Sequence, residues 1–97
     1  MKPSKLKISD RFYQKLENQV CYIAEDKPNV AKKFKRELLL NIKKISDFPY
    51  SYRKSPFFEE ETIRELIFKG YRIIFEINEA ENTIEVFGLH KWENELS

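Results

Sequence analysis

In the first half of the chain, apolar positions recur at helical spacing. Phe12, Leu16, Val20 and Ile23 fall at i, i+4, i+8 and i+11, which draws one stripe along a helix. Ser9-Asp10 supplies a start signal just ahead of it. The helix should stop near Asp26-Lys27, because a residue before proline is biased away from the α region and Pro28 follows. Pro28 itself suits the first turn of a second helix, where its missing N–H is not needed. Ala31, Phe34, Leu38, Ile42 and Ile45 form the face that helix should bury, and Pro49 is expected to close it. Lys32, Arg36 and Lys43 share another face, with Lys33 and Lys44 beside them. Ahead of both helices, Lys5 to Ile8 alternate polar and apolar as a short first strand would.

After Pro49 the period changes from helical to twofold. Residues 50–61 read as a loop rich in aromatics, ending in Glu59-Glu60-Glu61. Thr62 to Phe68 and Tyr71 to Ile77 are β-rich runs separated by Lys69-Gly70, which fits a two-residue hairpin turn. Tyr71, Ile73, Phe75 and Ile77 should face the core, leaving Arg72 on the less apolar face. Glu79 to Asn82 form a second turn, Thr83 to Leu89 a third β run, and the residues from His90 on a polar tail. The order is β-α-α-β-β-β. Helices gathered ahead of consecutive strands predict an α+β domain, a helical hairpin packed on a small antiparallel sheet, with the first strand joining by a crossover.

Length and composition narrow this further. Ninety-seven residues leave room for a single domain spanning 1–97, with 93–97 expected to be flexible. The longest apolar runs are triplets such as Leu38-Leu39-Leu40, far below the ~18 residues of a membrane span. The N-terminus leads into no hydrophobic stretch, so no signal peptide is expected. Cys21 is the only cysteine, which removes intrachain disulfides and cysteine-based zinc clusters. A cytoplasmic protein with no membrane association is the expectation. The net charge of +2 hides an asymmetry. Residues 1–47 hold 12 Lys/Arg against 6 Asp/Glu, and residues 48–97 hold 6 against 10. A basic half can steer toward nucleic acid or an acidic protein, although a lysine-rich helix face is also the ordinary way to solvate one.

Several stretches resemble the RelE/ParE superfamily of toxins from type II toxin–antitoxin modules. They are Tyr22-Ile23-Ala24-Glu25-Asp26-Lys27-Pro28-Asn29-Val30-Ala31 at the helical hairpin and Ile45-Ser46-Asp47-Phe48-Pro49 at its end. Ile63-Arg64-Glu65-Leu66 and Tyr71-Arg72-Ile73-Ile74-Phe75 follow in the sheet, with a last strand ending at His90. The resemblance covers the chain from about Ile8 to Trp92. It implies a toxin that arrests growth when free of a cognate antitoxin, works without cofactor or metal, and acts on one of two targets. ParE-like members poison DNA gyrase and lack a catalytic set; this is the favoured reading. The alternative is a RelE-like or YoeB-like endoribonuclease that cuts mRNA on the ribosome.

The endoribonuclease chemistry can be tested residue by residue. Attack by a 2′-hydroxyl needs a base, cations at the phosphorane and an acid for the leaving oxygen. By resemblance Arg72 falls where RelE-like enzymes hold the phosphate, a task its delocalised fork suits. The plainer reading is a strand arginine pairing with nearby glutamates. Ile63 and Glu65 stand where RelE carries lysines, and Arg53 where YoeB-like enzymes carry a glutamate base. His90 matches the C-terminal histidine of that branch and would serve as acid. Strict alternation, however, places it with Ile84 and Val86, toward the core, unless Gly88 marks a bulge. Arg64 should point away from the face of Ile63 and Glu65, and with Lys32, Arg36 and Lys43 makes up the candidate partner or nucleic-acid contacts. Tyr50, Tyr52, Phe57 and Phe58 read as closing the end of the core, with stacking on bases as the other option. The acidic run 59–61 reads as solvated, not as a metal site.

Overall fold

The computed structural model describes residues 4–91; the polar tail 93–97 and Trp92 lie outside the described residues. Strand β1 spans Lys5–Ile8, helix α1 Asp10–Asp26 and helix α2 Pro28–Lys43. Two 3-10 turns, Lys44–Ser46 and Pro49–Ser51, lead to β2 (Arg53–Lys54), β3 (Ile63–Phe68), β4 (Tyr71–Asn78) and β5 (Thr83–Lys91). The five strands form one sheet in the order β1-β5-β4-β3-β2. The meander β2 to β5 is antiparallel, and β1 crosses over to pair parallel with β5, so the sheet is mixed.

Local chemistry explains the helix boundaries. Ser9 is the N-cap of α1, and its hydroxyl accepts from the Phe12 N–H at 3.1 Å. Such a cap satisfies one of the donors that the first turn leaves open, a contribution of about 1 kcal/mol. One residue, Lys27, both ends α1 and precedes α2: its N–H donates to the Ile23 carbonyl at 2.8 Å, while Pro28 opens the next helix. The expected end of α2 at Pro49 is corrected. The α-helix stops at Lys43 and tightens to a 3-10 turn, which carries Ile45 into full burial while the Ser46 hydroxyl donates to the Lys43 carbonyl. Pro49 instead begins the second 3-10 turn, after Phe48 leaves the helical region at φ −142°.

The hairpin packs on one sheet face. Phe12 and Leu16 of α1 and Phe34, Leu38 and Ile42 of α2 meet Leu66, Tyr71, Ile73, Phe75, Ile77, Ile84, Val86 and Leu89 in a single core. Alternation along β4 delivers its four predicted core positions to this layer. The turn between β3 and β4 has both residues at positive φ, Lys69 at 46° and Gly70 at 83°, matching the right-handed twist of the strands it joins. It fixes the register Phe68↔Tyr71 and therefore every pairing back to Ile63↔Glu76. Lys69 also reaches across to α2, its ammonium 2.9 Å from the Glu37 carboxylate, and that hydrogen bond holds the carboxyl below its usual pKa.

One strand interrupts the loop expected over 50–61. Arg53–Lys54 pair with Glu65 and Arg64 as a two-residue edge strand, too short to leave a periodic signal. From it the chain folds back over the second sheet face, so that Arg72 and Ile74 are buried as well as the core positions of β4.

Candidate functional site

The face of the sheet away from the helices brings together most of the residues singled out by sequence. Antiparallel partners share a face, so Arg53, Glu65, Ile74 and Gly88 form a row across four strands, and Ile67, Arg72 and His90 form the next. Glu65 lies at the centre, 1% exposed. Its carboxylate is 3.1 Å from the Arg72 guanidinium and 3.3 Å from Arg53 Nε, and it accepts from the Ser55 hydroxyl at 2.9 Å. A buried carboxylate is costly unless paired and hydrogen-bonded, and here three groups, from two other strands and a loop, meet it. Arg72, 8% exposed, has Phe57 over its guanidinium at 5.0 Å. The expectation that Arg72 lies opposite the core layer holds. Its surroundings match the plainer reading, a strand arginine paired with a glutamate.

His90 reaches this face through a bulge. The β4–β5 register runs Phe75↔Val86 and then Ile74↔Gly88, so Phe87 is an extra residue in β5. Strict alternation would have turned His90 inward with Ile84 and Val86. The added residue reverses the facing, and His90 pairs across from Arg72 with its ring exposed, its centroid 6.4 Å from that of Phe57. Gly88 is the residue that lets the two strands close here. A Cβ at that position would meet the Cβ of Ile74 at 3.0 Å, an atom fixed to the backbone that cannot swing aside. Gly88→Ala is therefore expected to cost about 1–3 kcal/mol by overpacking, read as a lower urea midpoint for unfolding; an unchanged midpoint would show that β5 shifts freely.

The segment Ser55–Phe58 forms the roof. Ser55 is fully buried, its N–H donating to the Ile63 carbonyl at 2.9 Å; Lys54 Nζ donates to the Phe58 carbonyl at 2.6 Å, and Phe58 meets Phe87 edge-on at 5.9 Å. Next to this roof lies a cleft of about 490 Å³ lined by Arg11 and Lys15 from α1, by Phe57, Phe58, Phe87 and His90, and floored by Ile74 and Gly88. Among the described residues no carboxylate lines it, and the loop glutamates do not reach His90: Glu61 is engaged with Arg64, and Glu59 and Glu60 are exposed.

The remaining candidates lie elsewhere. Arg64 faces the helix side, as alternation required, and its guanidinium is occupied in holding the loop. Nε donates to the Glu61 carbonyl at 2.7 Å, one terminal nitrogen donates to the Tyr52 carbonyl at 3.1 Å, and the group stacks 4.9 Å from the Tyr50 ring. Lys32, Arg36 and Lys43 are exposed on α2 and form no ion pair among the described residues. The four aromatics divide. Tyr52 closes the core edge-on to Phe75 at 5.6 Å, and Phe58 is half-buried on Phe87, while Tyr50 and Phe57 (52% exposed) stay at the surface. The Tyr50 hydroxyl donates to Glu79, which raises its pKa above the usual tyrosine value. Among the described residues no three His, Cys, Asp or Glu side chains are grouped to hold a metal ion, and no helix is long and apolar enough to cross a membrane.

Sequence reasoning missed Arg11, Lys15 and Ser55. The first two sit at i and i+4 on the polar side of α1, a spacing visible in the chain, but nothing there says that a bulge on a distant strand opens beside them. Ser55 carries no signal in a loop of mixed composition.

Comparison with known proteins gives a consistent picture. A search of curated proteins returns no match. Among solved structures, the chromosomal ParDE toxin–antitoxin system from P. aeruginosa matches with a TM-score of 0.75 at 14% identity, covering 91% of this chain and 95% of that one. The RelBE2 toxin–antitoxin complex from Mycobacterium tuberculosis matches with a TM-score of 0.62 at 14% identity, over 95% of each chain. The intact E. coli RelBE toxin–antitoxin complex gives 0.58 at 13% identity, over 91% of this chain and 95% of that one. At such identities these likenesses establish the fold. The family itself comes from a sequence profile, described as the ParE toxin of the type II toxin–antitoxin system parDE, which matches residues 6–91. The chain therefore belongs to the ParE toxin family of type II toxin–antitoxin systems.

Proposed function

We propose that this toxin arrests growth by inhibiting DNA gyrase, and that a cognate antitoxin produced beside it holds it inactive in the cytoplasm. One observation carries the choice of target. Arg72, the cation an endoribonuclease would aim at the scissile phosphate, is bound by buried Glu65 beneath Phe57. To reach a phosphate it would have to leave a carboxylate that is already desolvated, a loss no surface contact offsets.

The test is a supercoiling assay with purified gyrase, run alongside mapping of mRNA 5′ ends in a translating extract. Loss of supercoiling with intact mRNA is the expected result. The endoribonuclease reading has one feature in its favour, the bulge that sets His90 across from Arg72. New cuts within translated codons, lost in Arg72→Ala, would establish it and retire the gyrase reading.

The basic face of α2 has a part in this reading. Lys32, Arg36 and Lys43 add long-range attraction to an acidic antitoxin segment. Reversing all three charges should slow association and flatten its salt dependence. Stopped-flow association rates from low to high salt measure both; rates matching the unaltered toxin throughout would remove α2 from the encounter.

A further inference from the structure

Strand β5 is nine residues long, and β1 pairs with only its first four, Thr83 to Val86. After Ser9, whose N–H donates to the Val86 carbonyl at 2.9 Å, the chain turns into α1. Residues 87–91 therefore have β4 on one side, and among the described residues no strand on the other. An open strand edge presents N–H and C=O groups that another strand can satisfy, and proteins commonly guard such edges with cationic side chains.

The surroundings of this edge are specific. On its outer face lies the cleft of about 490 Å³ described above, with Arg11 and Lys15 at its rim. On its helix face lies a second hollow of about 370 Å³, where Tyr22 and Lys15 of α1 face Tyr71, Leu89 and Lys91. Lys15 borders both. Among the described residues, neither hollow is lined by Asp or Glu, and Arg11, Lys15 and Lys91 form no ion pair. Each has an apolar wall or floor: Phe57, Phe58 and Ile74 in one, Tyr22, Tyr71 and Leu89 in the other.

We infer that residues 87–91 are a docking edge for an extended segment of a partner protein in which acidic and apolar side chains occur together. A strand added to β5 sends successive side chains to opposite faces, and so into the two hollows in turn. Apolar side chains fill the floors, and carboxylates meet Arg11, Lys15 and Lys91. Gly88 keeps the outer hollow open because it has no side chain to fill it. A nucleic acid would also answer the positive charge, but it would leave the strand edge unpaired and would have no reason to use hollows on both faces. The inference rests on the toxin reading only for the existence of a protein partner, and holds whichever enzyme the toxin stops.

The test uses the full chain and a capped ten-residue peptide repeating glutamate-glutamate-valine-valine, which presents both side chains on each face of a strand, with a lysine-lysine-valine-valine peptide and a ten-nucleotide oligothymidylate as controls. Binding is followed by fluorescence anisotropy, and its location by amide hydrogen exchange. The expected result is saturable binding of the glutamate peptide, slowed exchange confined to residues 87–91, and at least tenfold weaker binding in Arg11→Glu/Lys15→Glu. Arg11→Ala/Lys15→Ala should weaken it in the same direction, and thermal unfolding of both variants should match the unaltered chain. Protection elsewhere on the molecule, equal binding of the lysine peptide, binding of the oligonucleotide alone, or edge amides already protected without peptide would each overturn the inference. None of these outcomes depends on the supercoiling assay, so the docking edge and the gyrase target fail separately.

Discussion

Glu65→Ala is expected to destabilise the fold by about 3–5 kcal/mol, the cost of leaving a buried charge without its partner. Arg72 is 8% exposed and lies beneath Phe57, so it has little water to turn to once the carboxylate is gone. Ser55, fully buried, would lose the acceptor of its hydroxyl. The reverse change, Arg72→Ala, should be milder, because Glu65 would keep Arg53 at 3.3 Å and Ser55 at 2.9 Å. Replacing both members, Glu65→Leu with Arg72→Leu, should recover much of the loss, since a well-packed apolar pair can match a buried ion pair. Urea unfolding of the three variants measures the series. A penalty below about 1 kcal/mol for Glu65→Ala would mean that water reaches the network.

The second large effect belongs to Phe75. It is fully buried at the middle of β4, within the core that both helices cover, and Tyr52 meets its ring edge-on at 5.6 Å. Phe75→Ala removes that burial and leaves a cavity between sheet and hairpin, at an expected cost of about 3–5 kcal/mol. Domains of this size hold only about 5–15 kcal/mol in total, so the variant should be close to half-unfolded on warming. Calorimetry would read this as a fall in Tm. A small shift would show that Tyr52 and Leu38 collapse into the space.

Most of the architecture was legible because it follows from short-range rules. Ser9 as cap, Pro28 as the first residue of α2 and Lys69-Gly70 as the hairpin turn each act through backbone geometry within a few residues. The twofold period of Tyr71, Ile73, Phe75 and Ile77 reports a layer that the hairpin covers. The candidate site was legible only in part. The turn register already placed Glu65 and Arg72 on one face, so their pairing could be anticipated. What hid the rest was distance along the chain. Ser55 meets Glu65 only because a two-residue strand pulls the loop back, and Arg11 borders a cleft created by a bulge some 76 positions later. The facing of His90 depended on that same bulge, which alternation alone does not reveal.

The extra residue at Phe87 bears on how relatives of this toxin should be aligned. Strand β5 carries one codon more than a regular ladder against β4 requires. Losing that codon would leave Gly88, Leu89 and His90 on the faces they now occupy, with the ladder made regular. Gaining another would also restore regular alternation and leave His90 outward and Leu89 inward, but it would slide both two positions along β4, taking Gly88 away from Ile74 and His90 away from Arg72. A gap at this position is thus silent for both facing and register, while an insertion keeps the facing and loses the register. Drift in strand length should be tolerated here in one direction only.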